Sequence, residues 1–189
     1  MNEDRRREDE MSAVAPAVSP ASSELEQVFQ AHCGRVFRAA YRITGNAGDA
    51  EDVLQTVFLR MLRQDWTSGG VKSLESYLHR AAVNAALDVL RSRRSQATVP
   101  LEEAAFACDP RLQPDRRQDV RELRASLRAA IAHLSPRAAE MFALRYFEGY
   151  GNQEIARMLG TSPGEVAVSL HRSRTRLQQE LRSYLGETL

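Results

Sequence analysis

Apolar residues recur at intervals of three and four along most of this chain, the spacing of one face of an α-helix. The pattern fills one block from Leu25 to Arg94 and a second from Val120 to Leu185, without convincing strand alternation. Between them, residues 96–118 hold three prolines, paired acids and little periodicity, which is typical of a linker. The sequence therefore predicts an all-α protein of two small helical domains joined by a flexible linker.

Composition limits where such a protein works. Residues 1–23 are charged and then rich in Ala, Pro and Ser, so we expect a disordered tail, and residues 186–189 form a second short tail. No apolar run approaches the roughly 20 residues that cross a bilayer, and the N-terminus lacks the apolar stretch of a secretory signal. Cys33 and Cys108 lie far apart, without the spacing of a disulfide framework or a zinc site. We expect a cytoplasmic protein with no membrane insertion.

The segment from Tyr150 to Leu177 has the pattern of a helix-turn-helix. Ala156 stands where the first helix needs a small residue at its crossing, and Gly160 lies in the tight turn. The sequence SPGE at residues 162–165 is a capping box with proline in the first helical turn. The alternative is a helical hairpin whose arginines only interact with solvent, but the agreement of these local signals favours DNA binding.

The second predicted helix of the first block begins with acids. We place its N-cap at Asp49, with Glu51 and Asp52 in the first turn, where the helix dipole favours anions. The apolar face of this helix comprises Val53, Val57, Phe58, Met61 and Leu62.

The next helix, predicted from about Leu74 to Arg94, has one polar side. That side combines an aromatic ring, an amide, an acid and arginines, unlike an ordinary solvent-facing stripe, and comprises Tyr77, Arg80, Asn84, Asp88 and Arg91. Leu87 falls on the same side and interrupts the pattern. Asp88 either pairs with Arg91 or Arg80, or is an ordinary surface acid.

These motifs together resemble a known family. The sequence DAEDVLQTVF at residues 49–58 is similar to the region-two signature of bacterial sigma factors, and residues 77–94 resemble the adjoining helix that melts and reads promoter DNA. The helix-turn-helix is similar to region four, and no region-three domain lies between them. This layout resembles the extracytoplasmic-function (ECF) group. The resemblance implies region two over residues 24–95, the linker over 96–118 and region four over 119–185.

The resemblance also implies a function. The protein would bind core RNA polymerase and direct promoter-specific transcription initiation by recognising −35 duplex and −10 single-stranded DNA. The residues expected to bind the clamp coiled coil of the polymerase's largest subunit are Asp49, Glu51, Asp52, Gln55 and Phe58. Phe58 is either a contact or part of the core, and the acids can also serve as helix caps.

Two further surfaces would bind promoter DNA. The residues expected to bind the −10 element are Trp66, Lys72, Tyr77, Arg80, Asn84, Arg91, Arg93 and Arg94. The residues expected to bind the −35 element are Ser162, Glu165, Ala167, Val168, Ser169, His171, Arg172 and Arg174. An amide such as that of Asn84 both donates and accepts, as unpaired base edges require. Many relatives carry Lys/Arg, Ser/Thr and Arg at positions 167–169, so we expect a different −35 preference here, since small apolar groups contact a thymine methyl but cannot fork onto guanine.

The family further implies contacts with the flap region of the polymerase and with an anti-sigma factor. The chain has no P-loop, HExxH, nucleophile elbow or metal-spaced cluster, so no catalytic residue, cofactor, metal or small-molecule substrate is expected. Two other functions stay open. One is a helix-turn-helix repressor or activator that binds duplex DNA as a dimer and ignores core polymerase. The other is a regulatory protein that sequesters partners on its helical surfaces.

Overall fold

The computed structural model describes residues 20–63, 73–96 and 114–182, and within those ranges the chain forms seven α-helices. Helices α1 (Pro20–Thr44), α2 (Ala47–Arg63) and α3 (Leu74–Gln96) make up the N-terminal bundle. The C-terminal bundle comprises α4 (Pro114–Ala132), α5 (Pro136–Tyr146), α6 (Asn152–Leu159) and α7 (Pro163–Glu180). The predicted all-α class is confirmed.

Small residues let the helices of the N-terminal bundle pack closely. Ala39 and Ala40 of α1 and Ala82 and Ala86 of α3 are each 0% exposed. Alanine at such positions lets two helix backbones approach, because the distance between helix axes depends on the side chains at the contact. Met61 of α2 is also fully buried in this core. The bundle therefore holds α3 against both α1 and α2.

The turn between α1 and α2 corrects the predicted start of α2. Gly45 takes a positive φ of 74° and ends α1, and the next residue, Asn46, is the cap of α2. The Asn46 side-chain oxygen accepts a hydrogen bond from the Asp49 backbone N–H at 3.1 Å. The predicted N-cap at Asp49 is therefore wrong: Asp49 lies in the first turn, and the amide of Asn46 satisfies a free N–H of that turn.

The predicted helix-turn-helix is formed by α6 and α7. Ala156 is buried at the crossing, and Gly160 ends α6 in the left-handed conformation, with φ 62° and ψ 46°. Ser162 caps α7: its hydroxyl accepts from the Glu165 N–H, and the Glu165 carboxylate accepts from the Ser162 N–H, both at 3.2 Å. The box fixes where α7 starts and how it leaves the turn.

Two helices begin earlier than the sequence pattern suggested. Helix α1 starts at Pro20 and takes in the last residues of the predicted tail, and α4 starts at Pro114, inside the predicted linker. Proline suits the first turn of a helix, where its missing N–H would have no helical partner. Residues 1–19, 64–72, 97–113 and 183–189 lie outside the described ranges, and so do the predicted DNA contacts Trp66 and Lys72.

Helix α3 lies between the two bundles. It packs against α1 and α2 on one side and against α4 and α5 on the other. Leu87, which interrupted the polar side of α3 in the sequence, is 1% exposed and belongs to the buried cluster that runs through both bundles. The side of α3 predicted to face DNA is therefore partly covered by the C-terminal bundle.

Candidate nucleic-acid and polymerase interfaces

The start of α2 presents part of the predicted polymerase surface. Glu51, Asp52 and Gln55 are exposed on successive turns of the helix. Phe58 is 6% exposed, and its ring meets that of Phe29 edge-on, with centroids 4.8 Å apart. Of the two interpretations of Phe58, the structure supports the one in which it belongs to the core.

Two leucines of α2 extend this exposed surface. Leu59 is 51% exposed and Leu62 is 61% exposed. They follow Gln55 at intervals of four and three residues, so the three side chains share one face of α2. The prediction that Leu62 belongs to the apolar core face was therefore wrong, and sequence analysis did not single out Leu59. The exposed surface of α2 thus combines two leucines with acids.

Asp49 faces α3 instead. Its carboxylate oxygen lies 2.7 Å from a guanidinium nitrogen of Arg93, so a residue predicted to bind polymerase pairs with one predicted to bind DNA. Burial raises the pKa of the Asp49 carboxyl, and the neighbouring Arg93 acts in the opposite direction. The pair ties the start of α2 to the end of α3.

The polar side of α3 meets a buried acid of the C-terminal bundle. Arg80 Nε and Asn84 Nδ2 each donate a hydrogen bond, both at 3.0 Å, to the same carboxylate oxygen of Glu140 on α5. Arg80 Nη1 also donates to the backbone carbonyl of Met158 at 2.9 Å, in the last turn of α6. Glu140 is 7% exposed, whereas Arg80 and Asn84 remain partly accessible. Sequence analysis missed Glu140 because nothing near it in the sequence indicates a partner 56 residues away.

The remaining polar residues of this side of α3 differ in exposure. Arg91 Nη1 donates to the Asp88 carboxylate at 2.9 Å, which is the pairing that the sequence left open as one of two interpretations. Arg94 is exposed, and Tyr77 is half-buried. Arg91, Arg94 and the half-buried Tyr77 thus continue the polar side beyond the residues that contact Glu140.

A second polar cluster joins the bundles near the start of α3. The Tyr150 hydroxyl lies 2.7 Å from His79 Nδ1, and the Glu148 carboxylate lies 3.5 Å from His79 Nε2. Arg42 of α1 donates to the same Glu148 carboxylate at 3.1 Å. Burial lowers the pKa of His79, although the nearby Glu148 opposes this effect. Another contact is the Arg128 guanidinium, which donates to the carbonyl of Ile43 near the end of α1 at 3.1 Å.

Helix α7 presents the predicted recognition surface. Most of the residues predicted to bind −35 DNA are exposed, namely Ser162, Glu165, Ala167, Val168, His171, Arg172 and Arg174, and Ser169 is half-buried. Val166 and Leu170, on the other side of the helix, are buried. Beside this surface, an open groove of about 720 Å³ is lined by Ser135 and Ala138 of the α5 start and by Val168 and Arg172 of α7.

Glu165 serves as a cap on this surface. Its carboxylate accepts from the Thr161 hydroxyl and from the Ser162 N–H. These hydrogen bonds lower the pKa of Glu165, with the Thr161 hydroxyl as the largest cause. Because both contacts hold the carboxylate over the turn, its capping role accounts for the residue.

Within the described ranges, no helix is both long and apolar enough to span a membrane. The same residues also contain no group of three or more His, Cys, Asp and Glu side chains arranged to hold a metal ion.

Comparison with known proteins identifies both bundles. The family model for Sigma-70 region 2 matches residues 28–96, and the model for Sigma-70, region 4 matches residues 124–177. The ECF RNA polymerase sigma factor SigE of Mycolicibacterium smegmatis is 34% identical over 89% of this chain, which spans 65% of the length of that relative. The ECF RNA polymerase sigma factor SigM of Mycobacterium tuberculosis is 30% identical over a region that covers 94% of this chain and 87% of the length of SigM.

The fold has a counterpart among solved structures. The sigma factor RpoE from Bartonella quintana, solved in complex with the anti-sigma factor NepR, matches 84% of this chain and 97% of its own. The TM-score is 0.51 and the sequence identity is 18%, so this likeness concerns the fold.

Proposed function

We propose that the two bundles of this chain bind different partners. The chain belongs to the extracytoplasmic-function (ECF) group of bacterial RNA polymerase sigma factors. A sigma factor binds core RNA polymerase and directs it to start transcription at particular promoters. In this chain, the N-terminal bundle binds the polymerase and the separated −10 strand, and the C-terminal bundle binds the −35 duplex. The observation that carries this proposal is the presence, in one chain, of an exposed helix-turn-helix and of an acidic α2 face with two exposed leucines.

The polymerase contact is made by the exposed face of α2. Its residues are Glu51, Asp52, Gln55, Leu59 and Leu62. Leucines supply the apolar anchor of such a contact, while acids around it favour a basic partner and orient the encounter. The clamp coiled coil of the largest polymerase subunit is the partner that the family implies. Asp49 acts indirectly, by fixing the start of α2 against Arg93.

The −35 contact is made by α7 in the major groove of duplex DNA. Ala167 and Val168 approach thymine methyl groups, while Arg172 and Arg174 reach phosphates on the flanks. The capping box supports this role, because it presents the first turns of α7 outward with a fixed start.

The −10 contact is made by the polar side of α3. Arg80, Asn84 and Arg91 engage the separated non-template strand, with arginines along the backbone and the amide on a base edge. Binding the unpaired strand offsets the cost of melting, so initiation at the promoter needs no nucleotide hydrolysis by this chain. The chain acts by binding and has no catalytic activity of its own. Since polymerase and DNA are its partners, it works in the cytoplasm.

We also propose that an anti-sigma factor regulates this chain, as the structural neighbour from Bartonella quintana binds one. The fold that the two proteins share supports this proposal.

Run-off transcription on a library of genomic fragments tests the function directly. Core polymerase with this protein should give discrete transcripts, and core polymerase alone should not. In a permanganate footprint of the same promoters, Asn84→Ala should lose reactivity of unpaired thymines while still binding polymerase in gel filtration. Normal melting with Asn84→Ala would refute the −10 assignment. Binding to duplex DNA without any association with core polymerase would instead support a conventional helix-turn-helix repressor or activator.

A further inference from the structure

We propose that the C-terminal bundle masks the −10-binding side of α3 in the free protein, and that the Glu140 carboxylate is the group that closes the mask. This inference rests on the −10 role proposed above for Arg80 and Asn84. Its structural basis is the pair of hydrogen bonds, both at 3.0 Å, that these side chains donate to one oxygen of Glu140. In this closed form the chain is held away from single-stranded DNA by its own region four.

The chemistry of the contact makes it a competitor of DNA. A guanidinium and an amide that bind nucleic acid donate to phosphate and base oxygens, and a carboxylate offers the same kind of acceptor. Glu140 occupies Arg80 Nε and Asn84 Nδ2, and the Met158 carbonyl occupies Arg80 Nη1. Donors engaged in this way are unavailable to a DNA strand until the bundles separate.

The buried carboxylate of Glu140 is compatible with the closed form because α3 supplies its hydrogen-bond donors. The residue is 7% exposed, and an ionised carboxylate in such a place is costly unless it is paired. Two hydrogen-bond donors that reach it, Arg80 and Asn84, come from α3, in the other bundle. Separation of the bundles therefore breaks a charged pair, and water then solvates the carboxylate and the guanidinium that the pair had joined.

Other contacts add to the closure without covering the same donors. Arg42 and His79 meet Glu148, Tyr150 meets His79, and Arg128 reaches the end of α1. Polar contacts of this kind are typical of interfaces between domains that move relative to each other. A DNA strand that takes the donors of Arg80 and Asn84 favours the open form, because only that form offers them.

The test compares three variants of the full-length protein. Glu140→Ala removes the acceptor, and Glu140→Gln keeps the shape of the side chain but not its charge, in case the alanine variant is poorly folded. The matched control is Glu122→Ala, which removes one acid from the exposed side of α4, where its carboxylate accepts a hydrogen bond from the Gln118 amide. Circular dichroism checks the fold, small-angle scattering gives the radius of gyration, and fluorescence anisotropy gives the affinity for a fluorescein-labelled single-stranded 20-mer of random sequence.

We expect Glu140→Ala to expand the protein and to raise its affinity for the 20-mer about tenfold, equivalent to ~1.4 kcal/mol. Glu140→Gln should change both quantities in the same direction by less. Wild-type values for the radius of gyration in both Glu140 variants would overturn the mask, and so would an equal gain of affinity in Glu122→Ala, since net charge would then explain it. Failure of the underlying −10 role is a separate result: Asn84→Ala would melt promoters normally, whatever Glu140 does.

Discussion

The Arg93 guanidinium near the end of α3 lies 2.7 Å from the Asp49 carboxylate in the first turn of α2. The carboxylate is mostly buried, with 13% of the Asp49 side chain exposed, and among the described residues its second oxygen has no hydrogen-bond partner. The two helices that carry the polymerase face and the −10 side are therefore tied together by one ion pair. Any partner that binds α2 meets a helix whose orientation α3 already fixes.

Loss of this pair should destabilise the N-terminal bundle. Arg93→Ala leaves a buried carboxylate without its cation, so we expect the free energy of unfolding to fall by about 1–3 kcal/mol. Urea unfolding followed by circular dichroism measures the change. The control is Arg94→Ala, one residue along on the exposed side of the helix, which should stay within about 0.5 kcal/mol of wild type. Equal losses in the two variants would contradict the structural role of Asp49.

The burial of His79 predicts a pH dependence of stability. Its pKa is lowered in the folded protein from the usual 6.5, chiefly by burial, with Glu148 and Glu75 opposing this and Arg35 and Arg42 adding to it. Near and below pH 6.5 the unfolded chain therefore binds more protons at this residue than the folded chain does. The contribution of His79 is fully present above about pH 6.5 and is lost as the pH falls towards the folded value.

A His79→Gln variant isolates this effect from the other titrating groups, including the Tyr150 hydroxyl that contacts His79. Unfolding curves for both proteins at about pH 7.5 and pH 5.5 give the comparison. We expect wild type to lose more stability than the variant between the two values. A larger loss in the variant would mean that Glu148, and not burial, dominates the environment of the histidine.

The two Ser-Pro helix starts provide a matched pair for the capping box. Ser162 accepts a hydrogen bond from the Glu165 N–H, whereas Ser135, which also precedes a proline, makes no side-chain capping bond. Ser162→Ala should therefore lower the free energy of unfolding by about 1 kcal/mol. Ser135→Ala should change it by no more than a few tenths. If thermal or urea unfolding gave similar losses for both serines, the hydroxyl of Ser162 would not be what stabilises the start of α7.

This pair also indicates which parts of the fold the sequence could predict. The helix-turn-helix depends on residues within a few positions of one another, such as Ser162 and Glu165, so local pattern was sufficient. The same is true of the Asp88–Arg91 contact, one turn apart. The Asp49 cap was predicted wrongly because two polar residues, Asn46 and Asp49, compete for one turn and local pattern does not choose between them.

The candidate site was predicted less completely, because its contacts are distant in sequence. The sequence singled out Arg80 and Asn84 by their residue types, but their partner Glu140 lies at least 56 residues away. A buried acid in α5 has no periodic signal that would distinguish it from a solvent-facing one. Leu62 was assigned to the core because its spacing fits the apolar face, yet the helix turns it outward with Leu59.

Those two leucines carry a prediction about polymerase binding. Because Leu59 and Leu62 are more than half exposed, their replacement by alanine removes little buried area within the chain. We expect the double variant Leu59→Ala/Leu62→Ala to unfold within about 0.5 kcal/mol of wild type but to bind core polymerase at least about tenfold more weakly. Competition against a labelled wild-type protein measures the affinity. Arg60→Ala, on the exposed surface between them in sequence, is the control, and unchanged polymerase binding by the double variant would remove the leucines from the interface.

Two residues of α7 should have different effects on DNA binding, one on overall affinity and the other on base preference. Arg172 is exposed, and the proposed contact is with a phosphate, so Arg172→Ala should weaken binding to all promoters and reduce the slope of log affinity against log salt by about 1. Val168 is 50% exposed and carries no charge. Val168→Ala should leave the salt slope unchanged. It should weaken binding only to those promoters that place a thymine methyl group against the Val168 side chain.

Titration of holoenzyme with −35 duplexes that differ at single base pairs, at several salt concentrations, distinguishes the two roles. Thymine and uracil at the same position differ by the methyl group alone, so the substitution should weaken binding by wild type and have little effect on Val168→Ala. A reduced salt slope in Val168→Ala would mean that the variant shifts the whole helix on the DNA. A change of base preference in Arg172→Ala would mean that this guanidinium contacts a base edge instead of a phosphate. Contacts with base edges discriminate between sequences, whereas contacts with phosphates do not.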